Sequence, residues 1–211
     1  MITFHGDIDE LRRLTKGIAA AEPALEKATV SALNKSIVST RAYGVKLVAR
    51  DYAVTQKAVR KELKIYRANL HRKQASIVGS GSPGIPLYQF RPTPRRVPST
   101  KRLKSGGYSP KEGIKVMIRR GSRKVVKGAF IAETESGHIG VFKRRERGLG
   151  NWWNAFRKNR IEKMFGPSPL RILDSEHYYE KLDNYTEEIM DKNMAHEADY
   201  FLKKAGVIFN V

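Results

Sequence analysis

The hydrophobic period of this chain changes twice along its length, and that restricts the folds open to it more than any single motif. Leu25, Ala28, Ala32, Leu33, Ile37, Thr40, Gly44 and Leu47 recur mostly at spacings of three and four, which predicts one face of a long helix over 24–50. Ile114, Val116 and Ile118 then alternate with Lys115, Met117 and Arg119, the period of a half-buried strand. Tyr178, Leu182, Tyr185, Ile189, Ala198, Phe201 and Leu202 return to helical spacing within a helix-forming stretch over 175–205, which Gly206 stops. Helices, then strands, then a helix make an α+β fold: N-terminal helices, a central small antiparallel β-sheet and a C-terminal amphipathic helix.

Local signals place the boundaries. Asp7 and Glu10 read as a capping box, with Ile8, Leu11, Leu14 and Ile18 on one face behind it. Pro23 lacks an N–H, so a kink or break is predicted at 21–23. Thr55 caps a short helix over 55–64 whose inner side carries Ala58, Val59 and Leu63 and whose outer side is basic. Residues 65–78 and the Ile85-Pro-Leu87 stretch read as strands interrupted by the glycine-rich turn Gly79–Gly84. Arg91–Pro110, with four prolines and two glycines, reads as a long loop that is functional or ordered only on assembly. Val125-Val126, Ala129–Ala132 and Ile139–Phe142 join the first strand in one antiparallel meander through the turns Gly121-Ser122 and Ser136-Gly137. An aromatic and basic connector, Trp152–Phe165, follows and ends at Gly166-Pro-Ser-Pro169. The expected organisation is one structural domain with an N-terminal helical region 1–64, a sheet module 65–170 and a C-terminal helix 171–211.

Composition narrows the chemistry. The 211 residues include no cysteine, which removes disulfides, thiolate metal sites, iron–sulfur clusters and cysteine nucleophiles together. Met1–Asp7 carries no signal-peptide pattern and no apolar run approaches a membrane span, so a soluble protein made in the cytoplasm is expected. The net charge of +20 is unevenly placed: residues 41–73 carry +8, residues 91–127 carry +12, and residues 171–211 carry −4. Such a basic middle attracts polyanions or an acidic protein face, and equally serves assembly contacts or solubility.

The candidate partner or nucleic-acid contacts are therefore Arg91, Arg95, Arg96, Lys101, Arg102 and Lys104, with Trp152, Trp153, Arg157 and Arg160 from the connector. Aromatics interleaved with cations, here also Phe156, Phe165, Lys158 and Lys163, suit stacking on single strands, a protein interface or an ordinary core. Glu133, Glu135 and His138 are the one acidic and imidazole cluster, and no further carboxylate in the sheet region completes a metal sphere. The glycine-rich turn lacks the Lys-Ser/Thr and helix start of a phosphate loop, and the histidines show no partner pattern. No catalysis, cofactor or metal is expected.

Lys127-Gly-Ala-Phe-Ile-Ala132, Ser136-Gly-His-Ile-Gly-Val-Phe-Lys-Arg144 and Phe165-Gly-Pro-Ser168, in that order and ahead of a terminal helix, resemble the prophage minor tail protein Z family of tailed bacteriophages. Tyr52–Arg60 and Ile85-Pro-Leu87 are similar too, so the resemblance spans about residues 25–205. It implies a structural virion component that acts late in tail assembly, at the head-proximal end of a long non-contractile tail, where head joins tail and the genome end is positioned. It also implies other tail or head-tail connector proteins as partners. A ring-forming homo-oligomer and a contact with genome-end DNA are expected alongside. Gly128, Phe130, Ile131, Gly137, His138, Gly140, Val141, Phe142, Gly166, Pro167 and Ser168 then carry over as scaffold rather than as a reactive site.

Overall fold

Helix propensity on both sides of a proline decides the first element. The computed structural model describes residues 8–79, 84–95, 97, 113–134, 136–144 and 161–207. Helix α1 runs unbroken over Ile8–Asp51 with Pro23 inside it, so the break expected at 21–23 does not occur. A proline in a helix forfeits the hydrogen bond to the carbonyl four residues back. That carbonyl belongs to Ala19, and both Ala19 and Pro23 are exposed, so water can satisfy it. Asp7 and the side chains of Ile8, Glu10, Leu11, Leu14 and Ile18 lie outside the described residues.

Beyond α1 the order is α2 (Gln56–Glu62), β1 (Leu63–Tyr66), β2 (Ser76–Gly79), a 3-10 turn (Leu87–Gln89), β3 (Ile114–Val116), β4 (Lys124–Val126), β5 (Ala129–Glu133), β6 (Ile139–Arg144), β7 (Ile161–Lys163), α3 (Pro169–Leu173) and α4 (Glu176–Lys204). The class is α+β, as the changing period predicts. The strands form three small sheets among the described residues, β1-β2, β3-β4 and β5-β6-β7, instead of one meander. The reason lies at Lys127-Gly128, where a turn with Gly128 at φ +71 sends β5 into a new sheet and not back along β4. Ile85-Pro-Leu87 is not a strand either. Pro86 has no donor, so the segment makes one isolated bridge to Phe165 and then tightens into the 3-10 turn.

Contacts divide the chain into two units. The first comprises Met1–Tyr43, Ile65–Val78 and Tyr179–Val211. Its core is a seam between α1 and α4. Ala24, Ala28, Ala32, Ser36 and Thr40 recur every fourth residue and are all buried, a row of small side chains that lets the second helix come close. Leu25, assigned by spacing to the inner face, is 44% exposed because the buried row begins one residue earlier. Opposite this row the groups are polar. Asn193 donates to the Ser36 hydroxyl at 2.9 Å, Thr40 and Thr186 hydroxyls meet at 3.2 Å, and the Tyr43 and Tyr185 rings stack with centroids 4.1 Å apart. Glu197, only 3% exposed, accepts from Ser31 and Lys35. Partners that rise along α1 fall along α4, so the two helices run antiparallel. The Asn34 side chain clasps Ala68 through both backbone groups, at 2.9 and 3.0 Å. At its end α4 closes with Gly206 at φ +75, Gly206 N–H to Lys203 and Val207 N–H to Leu202, the two-bond glycine stop that the sequence predicts.

The second unit comprises Gly44–Lys64 and Gly79–Tyr178. Thr55 accepts from the Ala58 N–H and so caps α2, which buries Val59, ends at Glu62, two residues before the predicted end, and passes directly into β1 at Leu63. Val45, Val48, Val59, Leu63, Ile85, Phe90, Ile114, Val116, Val141 and Pro169 are its fully buried core. Arg120 donates twice to the Ala49 carbonyl, at 2.9 and 3.2 Å, so a cation satisfies a carbonyl in the last turn of α1. The start of the expected long loop is tied down. Thr93 and Lys115 exchange two backbone bonds at 2.8 and 3.1 Å, and Arg123 donates to the Thr93 hydroxyl.

Candidate functional site

The scaffold motif occupies the β5-β6 hairpin and the segment after β7. Ile131 faces Val141 across the ladder and Phe130 faces Phe142, with ring centroids 6.2 Å apart. Ile131 and Val141 turn into the core, while Phe130 is half-buried under the Arg144 guanidinium, 5.8 Å from its centroid. Gly137 closes the hairpin at φ +76. Gly140 lies beneath the Phe142 ring, where an added Cβ would sit 2.9 Å from ring carbon. His138 is exposed and its Nε2 lies 2.6 Å from the Lys163 ammonium. Gly166 runs under Phe90, an added Cβ meeting that ring at 2.4 Å. Half-buried Pro167 and Ser168 then lead into α3, which starts at Pro169. Every one of these contacts shapes backbone or packing, and none presents a reactive atom.

Glu133 and His138 are exposed on either side of the β5-β6 turn, Glu135 lies outside the described residues, and no group of three metal-ligating side chains occurs among those described. A cavity of about 460 Å³ is lined by Asp51, Arg119, Ser175, His177 and Tyr178. There the Tyr178 hydroxyl donates to Asp51 at 2.6 Å, and burial together with that carboxylate pushes the phenol up to about 12. Ser175 donates to the Ile172 carbonyl at 2.6 Å. Tyr178 therefore stays a neutral donor, and the hydroxyl of Ser175 is committed to backbone and not poised for attack.

Of the predicted contact residues, Arg91 and Arg95 are described and exposed, Arg91 with φ +48. Arg96, Lys101, Arg102, Lys104, Trp152, Trp153, Phe156, Arg157, Lys158 and Arg160 lie outside the described residues. Phe165 is half-buried, with Lys163 5.6 Å over its ring. Exposed cations outside that list are Lys115, Arg123, Lys124 and Lys127 on or beside β3-β4, and Lys57, Arg60 and Lys61 on α2. The alternation at Lys115 and the three-four spacing at 57–61 carried that signal in the sequence.

A family model described as Prophage minor tail protein Z (GPZ) matches residues 7–205, from the start of α1 through the end of α4. The chain belongs to the prophage minor tail protein Z family. Membership makes it a structural protein of the phage tail, a virion component that works among other tail proteins. The minor tail protein Z match covers both units, the β5-β6 hairpin and the Gly166-Pro-Ser168 turn alike. No curated protein and no solved structure matches the chain. Among the described residues no helix is long and apolar enough to cross a membrane.

Proposed function

We propose that this minor tail protein completes the tail at its head-proximal end, joining head to tail as a ring-forming homo-oligomer that acts without catalysis. The observation that carries the reading is the family match across nearly the whole chain. A ring makes the interface self-limiting around an axis, as a tube end requires. The protein is made in the host cytoplasm and taken into the virion tail, where the basic surface faces other tail or connector proteins. Imaging of assembled particles tests this: density for the protein is expected at the junction of tail and head, and density confined to the tail tip or its absence from particles overturns it.

A second reading is favoured by the exposed Lys115, Lys124 and Lys127 of the second unit, a surface suited to phosphates. If genome-end DNA is held there, the logarithm of affinity falls with the logarithm of salt at roughly −0.9 per phosphate contact. A flat salt dependence removes DNA as a partner.

A further inference from the structure

Helix α2 presents Lys57, Arg60 and Lys61 at spacings of three and four, so the three share one face. All are exposed, as is Lys64 just beyond. With Gln56 the three line an open groove of about 510 Å³, walled largely by their own methylene stems. None of the three meets a carboxylate among the described residues.

Helix α4 carries the opposite arrangement. Glu176, Glu180, Asp183, Glu187 and Asp191 recur at spacings of four, three, four and four. At 3.6 residues per turn they fill a strip about 80° wide and about 22 Å long. All five are exposed and none pairs with a lysine or arginine among the described residues. Like charges one turn apart on a helix destabilise it. In a chain of net +20, such a strip is a local cost that a cationic partner offsets, and none is in place among the described residues. Tyr179, 55% exposed, borders it.

We propose that the acidic strip of α4 in one copy docks on the α2 groove of a second copy of this chain. The ammonium and guanidinium heads meet the carboxylates, the stems lie against the Tyr179 ring, and the unlike faces repeat head to tail. Charge complementarity identifies the occupant: the same polypeptide supplies a row of carboxylates and a cluster of cations, neither paired with an opposite charge among the described residues. This contact rests on the self-assembling tail reading given above and supplies its interface.

The test is a charge swap in the full chain. One variant carries Lys57→Glu, Arg60→Glu and Lys61→Glu; the other carries Glu180→Lys, Asp183→Lys and Glu187→Lys. Sedimentation velocity at low salt should show the unmutated protein associating, each variant alone weakened about 100-fold or more, and the equimolar mixture associating again, because each variant then offers the face the other lacks. Circular dichroism confirms that each variant is folded. If a folded variant associates as the unmutated protein does, or if the mixture stays dissociated, the proposal is overturned. If the α2 variant loses binding to a DNA duplex while its self-association is intact, the groove belongs to a polyanion and the proposal again fails. Incorporation of the unmutated protein into tails is scored separately: a monomer that still enters tails refutes this interface alone, whereas failure to enter tails refutes the tail-completion reading.

Discussion

Glu197 is the buried charge on which the α1–α4 seam turns, and its replacement by glutamine gives a signed, pH-dependent expectation. Hydrogen bonds from Lys35 and then Ser31 hold its carboxyl well down, at about 2 against an ordinary 4.5, with burial opposing and His196 assisting at 3.1 Å. At about 1.4 kcal/mol per pH unit that depression corresponds to at most ~3 kcal/mol. Lys35 is 55% and His196 71% exposed, so water screens both, and ~1–2 kcal/mol is the working figure. A carboxyl depressed on folding stabilises above its unfolded value and loses that contribution as pH falls through the folded one. Glu197→Gln should therefore be less stable than the parent by ~1–2 kcal/mol at neutral pH, and the gap should close between about pH 4.5 and pH 2. Urea unfolding followed by far-UV circular dichroism, run on both proteins across that range, measures the difference directly and cancels the other carboxylates. A gap that is constant with pH, or absent at neutral pH, refutes the argument.

Gly166→Ala should destabilise the second unit by about 1–3 kcal/mol, because the new methyl meets the fully buried Phe90 ring at 2.4 Å; an unchanged melting temperature would show that the ring yields freely. Tyr178→Phe should cost about 1 kcal/mol by removing the bond to Asp51. In the parent, the Tyr178 phenol, raised on folding, stabilises below pH 10 and loses that contribution as pH climbs toward 12, so ultraviolet titration should show one late tyrosine that the variant lacks. Gly206→Ala should cost about 1 kcal/mol of α4 stability through its positive φ alone, since nothing lies within 4 Å of the added carbon, and amide exchange in the last turn reads it.

What could be read in advance followed from local chemistry. Thr55 as a cap, Gly206 as a stop and Ser136-Gly137 as a hairpin turn each depend on a few neighbouring residues, and the alternation at Ile114 and Val116 reports one buried face. Decisions made by distant partners were not legible. Strand β7 exists because Ile161, Glu162 and Lys163 find the free edge of β6, although their own pattern is not strand-like. Ala28, Ala32 and Thr40 of the face expected from spacing are buried, but the row also takes in Ala24 and the polar Ser36, which hydrophobic spacing passed over in favour of Leu25. Of the candidate contacts described, Arg91 and Arg95 are exposed, and what charge alone did not show is that the fold brings Lys115 and Arg123 beside Thr93.

That last junction has an evolutionary consequence. The chain departs at Thr93 and re-enters at Lys115 on adjacent rungs, so both ends of the intervening stretch are already held a few ångströms apart by the folded unit. Doubling the length of a segment closed in this way costs only about 0.6 kcal/mol. Residues can be gained or lost between these two anchors while Phe90, Ile114 and Val116 keep their places. The folded unit can thus keep its core while the number of residues between these two anchors changes.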